Sequence, residues 1–186
     1  MNRHRAGTGI VLKKTGLNEA DYLLTLLTED YGKITCLAKG VKNIKSHRLG
    51  SLQIGNVIKY STYSKNNYSW LSESITIFPF LQTEKSLTQL NLLFYILEII
   101  NLFIAEDQNI DGIYPVVEKL IKAISLNRFG DLITQEIALI DTLGFGTPPE
   151  IHSAHESNDL PATQKLIKQY LESIIEKPLQ SSKLFK

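Results

Sequence analysis

Apolar residues recur every second position through the first part of the chain and at helical spacing after Pro79. Residues 8–14 hold Ile10, Val11 and Leu12 and read as a first strand ended by Gly16. Residues 21–28, Asp-Tyr-Leu-Leu-Thr-Leu-Leu-Thr, are too short and too closely bounded by turn residues for a helix and read as a second strand. Glu29-Asp30-Tyr31-Gly32 is a turn, with Gly32 able to take the positive φ of a hairpin, and residues 33–41 form a third strand. There Ile34, Cys36 and Ala38 share one face, and Thr35, Leu37 and Lys39 the other. Residues 54–63 set Val57, Lys59, Ser61 and Tyr63 against Ile58, Tyr60 and Thr62, a fourth strand. Ser64-Lys65-Asn66-Asn67 turns the chain into a fifth strand over 68–78, with Leu71, Ile75 and Ile77 on one face. Five short antiparallel strands are too few for a sandwich and suit a small closed barrel of the OB type.

After Pro79, Thr83 or Ser86 stands where a cap belongs for a helix through Leu90, Leu93, Phe94, Leu97, Ile100 and Ile104. Its apolar residues cover most of the circumference, which places it inside a bundle. Residues 114–126 form a second helix with Pro115 in its first turn, and Asp131 caps a third that ends at Leu143-Gly144. Residues 145–160, rich in Gly, Pro, Ser, His and Asn, read as a loop. Residues 163–176 form a last helix with Leu166, Ile167, Tyr170, Leu171 and Ile174 toward the core. The expected fold class is α+β: an N-terminal five-stranded OB-type barrel in residues 1–78, followed by an all-helical domain in residues 79–186.

Charge sharpens this division. The chain carries a formal net charge of +1, but Met1 to Lys65 holds eleven basic against four acidic side chains, and the remainder nine against fifteen. Halves of opposite sign suggest different partners. A single cysteine forms no internal disulfide and fits a reducing compartment. The basic amino terminus precedes only a short apolar run, unlike a signal peptide, and the long apolar run 87–105 is interrupted by Gln89, Asn91, Glu98 and Asn101, unlike a membrane span. The expected location is the cytoplasm.

The most distinctive chemistry is the connection from Lys39 to Gly50, in which Lys39, Lys42, Lys45 and Arg48 recur at every third position without an intervening acid. Several cations on one side of a fold suit a polyanion, because each neutralised phosphate releases counterions. The hairpin from Tyr60 to Tyr68 adds Tyr60, Tyr63, Lys65 and Tyr68, and rings beside cations are what a single nucleic-acid strand needs for stacking and phosphate contact. Taken singly, each tyrosine reads as an ordinary half-buried strand residue.

Catalytic chemistry finds little. Cys36 lies mid-strand among apolar neighbours with no assigned base. His152-x-x-His155-Glu156 has metal-ligand spacing only if helical and lacks a second ligand pair. Gly7-Thr8-Gly9 has neither the third glycine of a dinucleotide fingerprint nor the Lys-Ser/Thr of a phosphate loop. No catalytic residue, cofactor or metal is expected.

The stretches 9–13 (Gly-Ile-Val-Leu-Lys), 19–28 (Glu-Ala-Asp-Tyr-Leu-Leu-Thr-Leu-Leu-Thr) and 31–34 (Tyr-Gly-Lys-Ile), then Lys39-Gly40-Val41-Lys42, Lys45-Ser46 and Leu52-Gln53, resemble in order and spacing the amino-terminal domain of the bacterial DNA repair protein RecO family. Residues 166–185, with Tyr170-Leu171-Glu172 and Lys177-Pro178-Leu179-Gln180-Ser181, and the Leu-rich run ending in Leu143-Gly144, resemble that family's closing segments. The resemblance implies a non-enzymatic recombination mediator of the RecF pathway, associated with the nucleoid. It would bind single- and double-stranded DNA, anneal strands covered by single-strand-binding protein, and assist RecA loading with RecR. It directs the DNA-binding role to Lys39, Lys42, Lys45 and Arg48, and the cations and rings of the proposed barrel add Arg5, Lys13, Lys59, Tyr63, Lys65 and Tyr68 as DNA-binding candidates. It also implies that the helical domain holds the acidic tail of single-strand-binding protein, with Lys119, Lys122 and Arg128 the cations nearest in sequence to an apolar helical surface. One departure stands out: many members carry a four-cysteine zinc module after the Leu-Gly helix, whereas Thr147-Pro148-Pro149 to Pro161 contains no cysteine. The rival readings are an OB-fold RNA-binding protein without a repair role and a small enzyme using Cys36 or the His152/His155 pair.

Overall fold

The structure, a computed structural model, describes residues 3–41, 48–65 and 68–181. It divides into two compact units, Met1–Glu84 with Ile104–Asn109, and Lys85–Phe103 with Ile110–Lys186.

The first unit is the expected barrel. Strands β1 (Arg3–Gly16), β2 (Tyr22–Thr28), β3 (Gly32–Ala38), β4 (Val57–Lys65) and β5 (Tyr68–Phe78) close in the order β1-β2-β3-β5-β4. Strand β1 is longer than its apolar patch predicts, because its polar first half pairs with β4 from Arg3 opposite Ser64 to Ile10 opposite Val57. Its second half pairs with β2, and the register shifts between Val11 and Lys13. That bulge lets Ile10, Val11 and Leu12 all be buried in succession, which strict alternation forbids. Strands β3 and β5 run parallel and meet at Leu37 and Trp70.

The alternation expected in β3 is present, with Ile34, Cys36 and Ala38 buried. In β5 it is not. The register shifts between Ser61 and Thr62 of β4, where Glu73 and Leu71 are the partners and Ser72 is the extra residue. Leu71 therefore faces the core, while Ile75 and Ile77 turn outward and are exposed. The fourth strand begins at Val57 rather than at residue 54, because Asn56 is committed to the preceding turn: its Nδ2 donates to the carbonyls of Gly50 and Ser51, and its Oδ1 accepts from the Phe80 amide.

The barrel core gathers Val11, Leu24, Leu26, Ile34, Cys36, Ile58, Tyr60 and Leu71 with Val41 and Leu52 from the β3–β4 connection. Burying Leu52 alone is worth roughly 1.5–3 kcal/mol, so the basic connection is tied to the barrel by its apolar members. Gly9 makes room for Tyr60, since a Cβ there would lie 3.3 Å from the ring. Gly32 has a φ of +65° and lies under the segment Ile104–Asn109, whose Gln108 carbonyl accepts from the Lys33 amide and whose Asp107 amide donates to the Lys33 carbonyl.

The second unit holds α1 (Leu87–Phe103), α2 (Ile113–Ser125), α3 (Phe129–Thr142), α4 (Pro149–Glu156) and α5 (Leu160–Ile175). Of the two candidate caps, Ser86 starts α1: its Oγ accepts from the Gln89 amide at 3.2 Å while Gln89 Oε1 accepts from the Ser86 amide at 3.1 Å. Gln89 also donates to the carbonyls of Ile124 and Ser125, satisfying the end of α2. Asp131 is not the cap of α3; it lies in the first turn, where it pairs with the N-cap residue Arg128 at 3.4 Å and complements the helix dipole. The loop expected over residues 145–160 contains α4 instead. Pro149 presets φ at its start and Ile151 is buried beneath it, two signals that the surrounding Ser, His and Asn conceal. No helix of the described residues is long and apolar enough to cross a membrane.

Candidate nucleic-acid interface

The hairpin β4–β5 places Tyr63 directly opposite Trp70 and Lys65 opposite Tyr68. The rings of Tyr63 and Trp70 stack with centroids 5.2 Å apart and planes 19° from parallel. Tyr68 leans on Trp70 at 6.1 Å, and His4 of β1 approaches Tyr63 at 6.4 Å. Lys39 completes the cluster, its Nζ lying 5.9 Å above the Trp70 ring. Tyr68 is 69% exposed, so a flat apolar ligand reaches the edge of this stack without displacing the core. Four rings and an ammonium form a surface on which bases can stack while phosphates meet a cation.

Arg48 serves this surface indirectly. Its Nη2 donates to the carbonyl of Lys39 at 2.7 Å, and its Nη1 donates to those of Leu71 at 3.1 Å and Ser72 at 3.4 Å. The guanidinium thus joins the end of β3 to β5 beside Trp70, which fixes the backbone that carries Lys39.

The other sequence candidates lie in several surroundings. Arg5 is held by Asp107 at 3.0 Å and lies over the Tyr31 ring at 5.1 Å. Lys13 is exposed on β1. Lys59 is exposed on β4 among Glu29, Asp30 and Glu73. Lys42 and Lys45 lie outside the described residues. Tyr60, expected near Tyr63 and Tyr68, is instead 4% exposed within the core, where burial pushes its hydroxyl up to about 12. The alternation of β4 already put it on the opposite face.

Trp70 and His4 were not singled out in the sequence. For Trp70 a signal existed: it is the only tryptophan and lies two residues after Tyr68, on the strand that pairs with Tyr63. His4 had no such signal, because it joins through the polar start of β1.

In the helical unit Lys119 is exposed, Lys122 is paired with Glu118 at 2.9 Å and Arg128 with Asp131. Cys36 is buried, and burial pushes its thiol up to about 12, the reverse of what a nucleophile needs. His155 Nε2 lies 3.4 Å from Thr134 Oγ1, and among the described residues no group of three metal-ligating side chains comes together.

A closed barrel of this strand order, bearing aromatic and cationic side chains on its wall, is an OB-type domain. Residues 1–80 match the family model described as Recombination protein O N terminal. Through this amino-terminal domain the chain is similar to the RecO family. It is similar to the DNA repair protein RecO of Thermoanaerobacter sp. (strain X514), 29% identical over 139 residues, 73% of this chain and 56% of that protein. It is 31% identical over 139 residues to the DNA repair protein RecO of Caldanaerobacter subterraneus subsp. tengcongensis, with the same shares covered. To that of Chloroherpeton thalassium it is 28% identical over 146 residues, 76% of this chain and 56% of that protein. The chain spans about half the length of these curated relatives.

Proposed function

We propose that this chain is a DNA-binding recombination mediator whose barrel holds single strands on the His4, Tyr63, Tyr68, Trp70 and Lys39 surface. The observation that carries this reading is the Tyr63–Trp70 stack under Lys39 on an OB-type barrel that matches the Recombination protein O N terminal model. Bases stack on the rings, Lys39 meets phosphate, and Lys42, Lys45, Lys65 and Lys13 are further candidate phosphate contacts. Holding two complementary strands against one cationic wall lowers their repulsion and promotes annealing, with no bond made or broken by the protein. By the same reading the helical domain (79–186) docks the acidic tail of single-strand-binding protein, and the chain assists RecA loading with RecR in the cytoplasm.

The test uses the single tryptophan. Titration with an oligodeoxynucleotide should quench Trp70 fluorescence saturably, and the wild-type chain should anneal complementary strands covered by single-strand-binding protein. An unquenched Trp70 at low salt sinks the proposed face. An RNA oligonucleotide of equal sequence binding much more tightly than DNA would favour the RNA-binding reading, because the 2′-hydroxyl distinguishes the two.

A further inference from the structure

A groove of about 600 Å³ crosses β1, β4 and β5 and is closed at one end by the β2–β3 turn. Its charged members are Glu29, Asp30 and Glu73 against Lys59 alone. Glu29 is fixed at the rim, where its Oε2 accepts from Thr8 Oγ1 at 2.5 Å. Tyr60 also lines the groove, although it is 4% exposed; its hydroxyl feels the Thr28 side chain but makes no hydrogen bond of ordinary geometry among the described residues. Tyr60 stands opposite Gly7 of β1, which carries no side chain to cover the ring. A buried hydroxyl left unmatched is costly, so its presence beside three carboxylates points to a donor supplied from outside.

We infer that this groove receives a lysine or arginine side chain presented by a protein partner. Guanidinium and ammonium groups carry the positive charge that the carboxylates favour and the N–H donors that the Tyr60 oxygen lacks. Ile75, in register with Lys59 and 66% exposed, and Ile77 beyond it offer apolar contact to residues flanking that cation. This favours a peptide over a free polyamine. The same charges repel phosphate, so the site is separate from the nucleic-acid face proposed above and does not rest on it.

The test is an NMR titration of the full chain with a blocked Leu-Arg-Leu tripeptide, its neutral citrulline counterpart and spermidine. The arginine peptide should shift the amides of Gly7, Ser61 and Ser74 saturably, and the citrulline peptide should not. Glu73→Gln with Asp30→Asn should weaken the response about tenfold, Tyr60→Phe should weaken it by a smaller factor, and Lys59→Gln should strengthen it. Spectra of each variant outside the groove establish that the barrel is intact. No shift with the arginine peptide, equal shifts with citrulline, or an unchanged response after the two acid substitutions overturns the proposal. A response to spermidine alone assigns the groove to free polyamines and overturns the protein-partner assignment. Loss of DNA binding with this response intact, or the reverse, separates the two readings.

Discussion

Tyr63 and Trp70 face each other across β4 and β5, and their stacked rings make one continuous aromatic surface with Lys39 above it. Stacking of a base on a ring contributes about 1–3 kcal/mol. Tyr63→Ala should therefore weaken single-strand binding by roughly 5- to 150-fold, while Tyr63→Phe retains most of the affinity. Fluorescence titration checks both, because Trp70 remains as the reporter. Equal affinity of the Ala variant and the wild type would remove the stack from the binding face.

Lys39 and Arg48 belong to one basic connection but should behave differently. Lys39→Gln removes an exposed cation and should lower the slope of log affinity against log salt by about 1, with no change in stability. Arg48→Ala removes a guanidinium that bonds the carbonyls of Lys39, Leu71 and Ser72. It should cost about 1–3 kcal/mol of barrel stability and disorder the site only as a consequence. Salt-dependent binding together with urea unfolding distinguishes the roles. An Arg48 variant of full stability with a reduced salt slope would make Arg48 a phosphate contact instead.

Gly32 admits no side chain. A Cβ there would lie 1.9 Å from the Gln108 carbonyl oxygen, and the backbone already holds a φ of +65°. Gly32→Ala should destabilise the barrel by at least about 2 kcal/mol, the left-handed strain plus displacement of the Ile104–Asn109 segment. Gly144→Ala provides the control: its φ is +87° but its Cβ would meet nothing within 4 Å, so only strain of about 1–2 kcal/mol is expected. Denaturant midpoints for each unit measure the difference.

The barrel was legible because alternation assigns Ile34, Cys36 and Ala38, or Ile58, Tyr60 and Thr62, to one face without knowledge of their neighbours. What was not legible depends on pairing. The extra residue at Ser72 sends Ile75 and Ile77 to solvent, a fact set by register with β4 and not by β5 itself. Arg48 read as one cation in a row, since nothing local reveals that its guanidinium ends on backbone carbonyls 23 and 24 residues away. The helix α4 was hidden by composition: its polar residues face solvent and only Ile151 records the burial. The acidic groove draws its members from three strands and a turn, so no sequence window contains it.

Glu136 on α3 is 2% exposed, and neither carboxylate oxygen has a hydrogen-bond partner among the described residues. Burial pushes its carboxyl up from 4.5 to about 8, and Glu136 in turn raises Tyr95, whose hydroxyl is pushed up first by its own burial. The folded chain therefore holds a proton that the unfolded chain releases above its ordinary value. Stability from this group is complete below about pH 4.5, falls as pH rises toward about 8, and is level beyond it. The slope approaches 1.4 kcal/mol per pH unit at most, and the whole loss is on the order of a few kcal/mol. Glu136→Gln keeps the shape and removes the titration, so the variant should gain stability relative to wild type as pH is raised from 5 to 8.5. Urea unfolding of the helical unit at several pH values measures that difference. A gap between the two proteins that stays constant with pH would mean that Glu136 finds water or a cation in solution and stays charged.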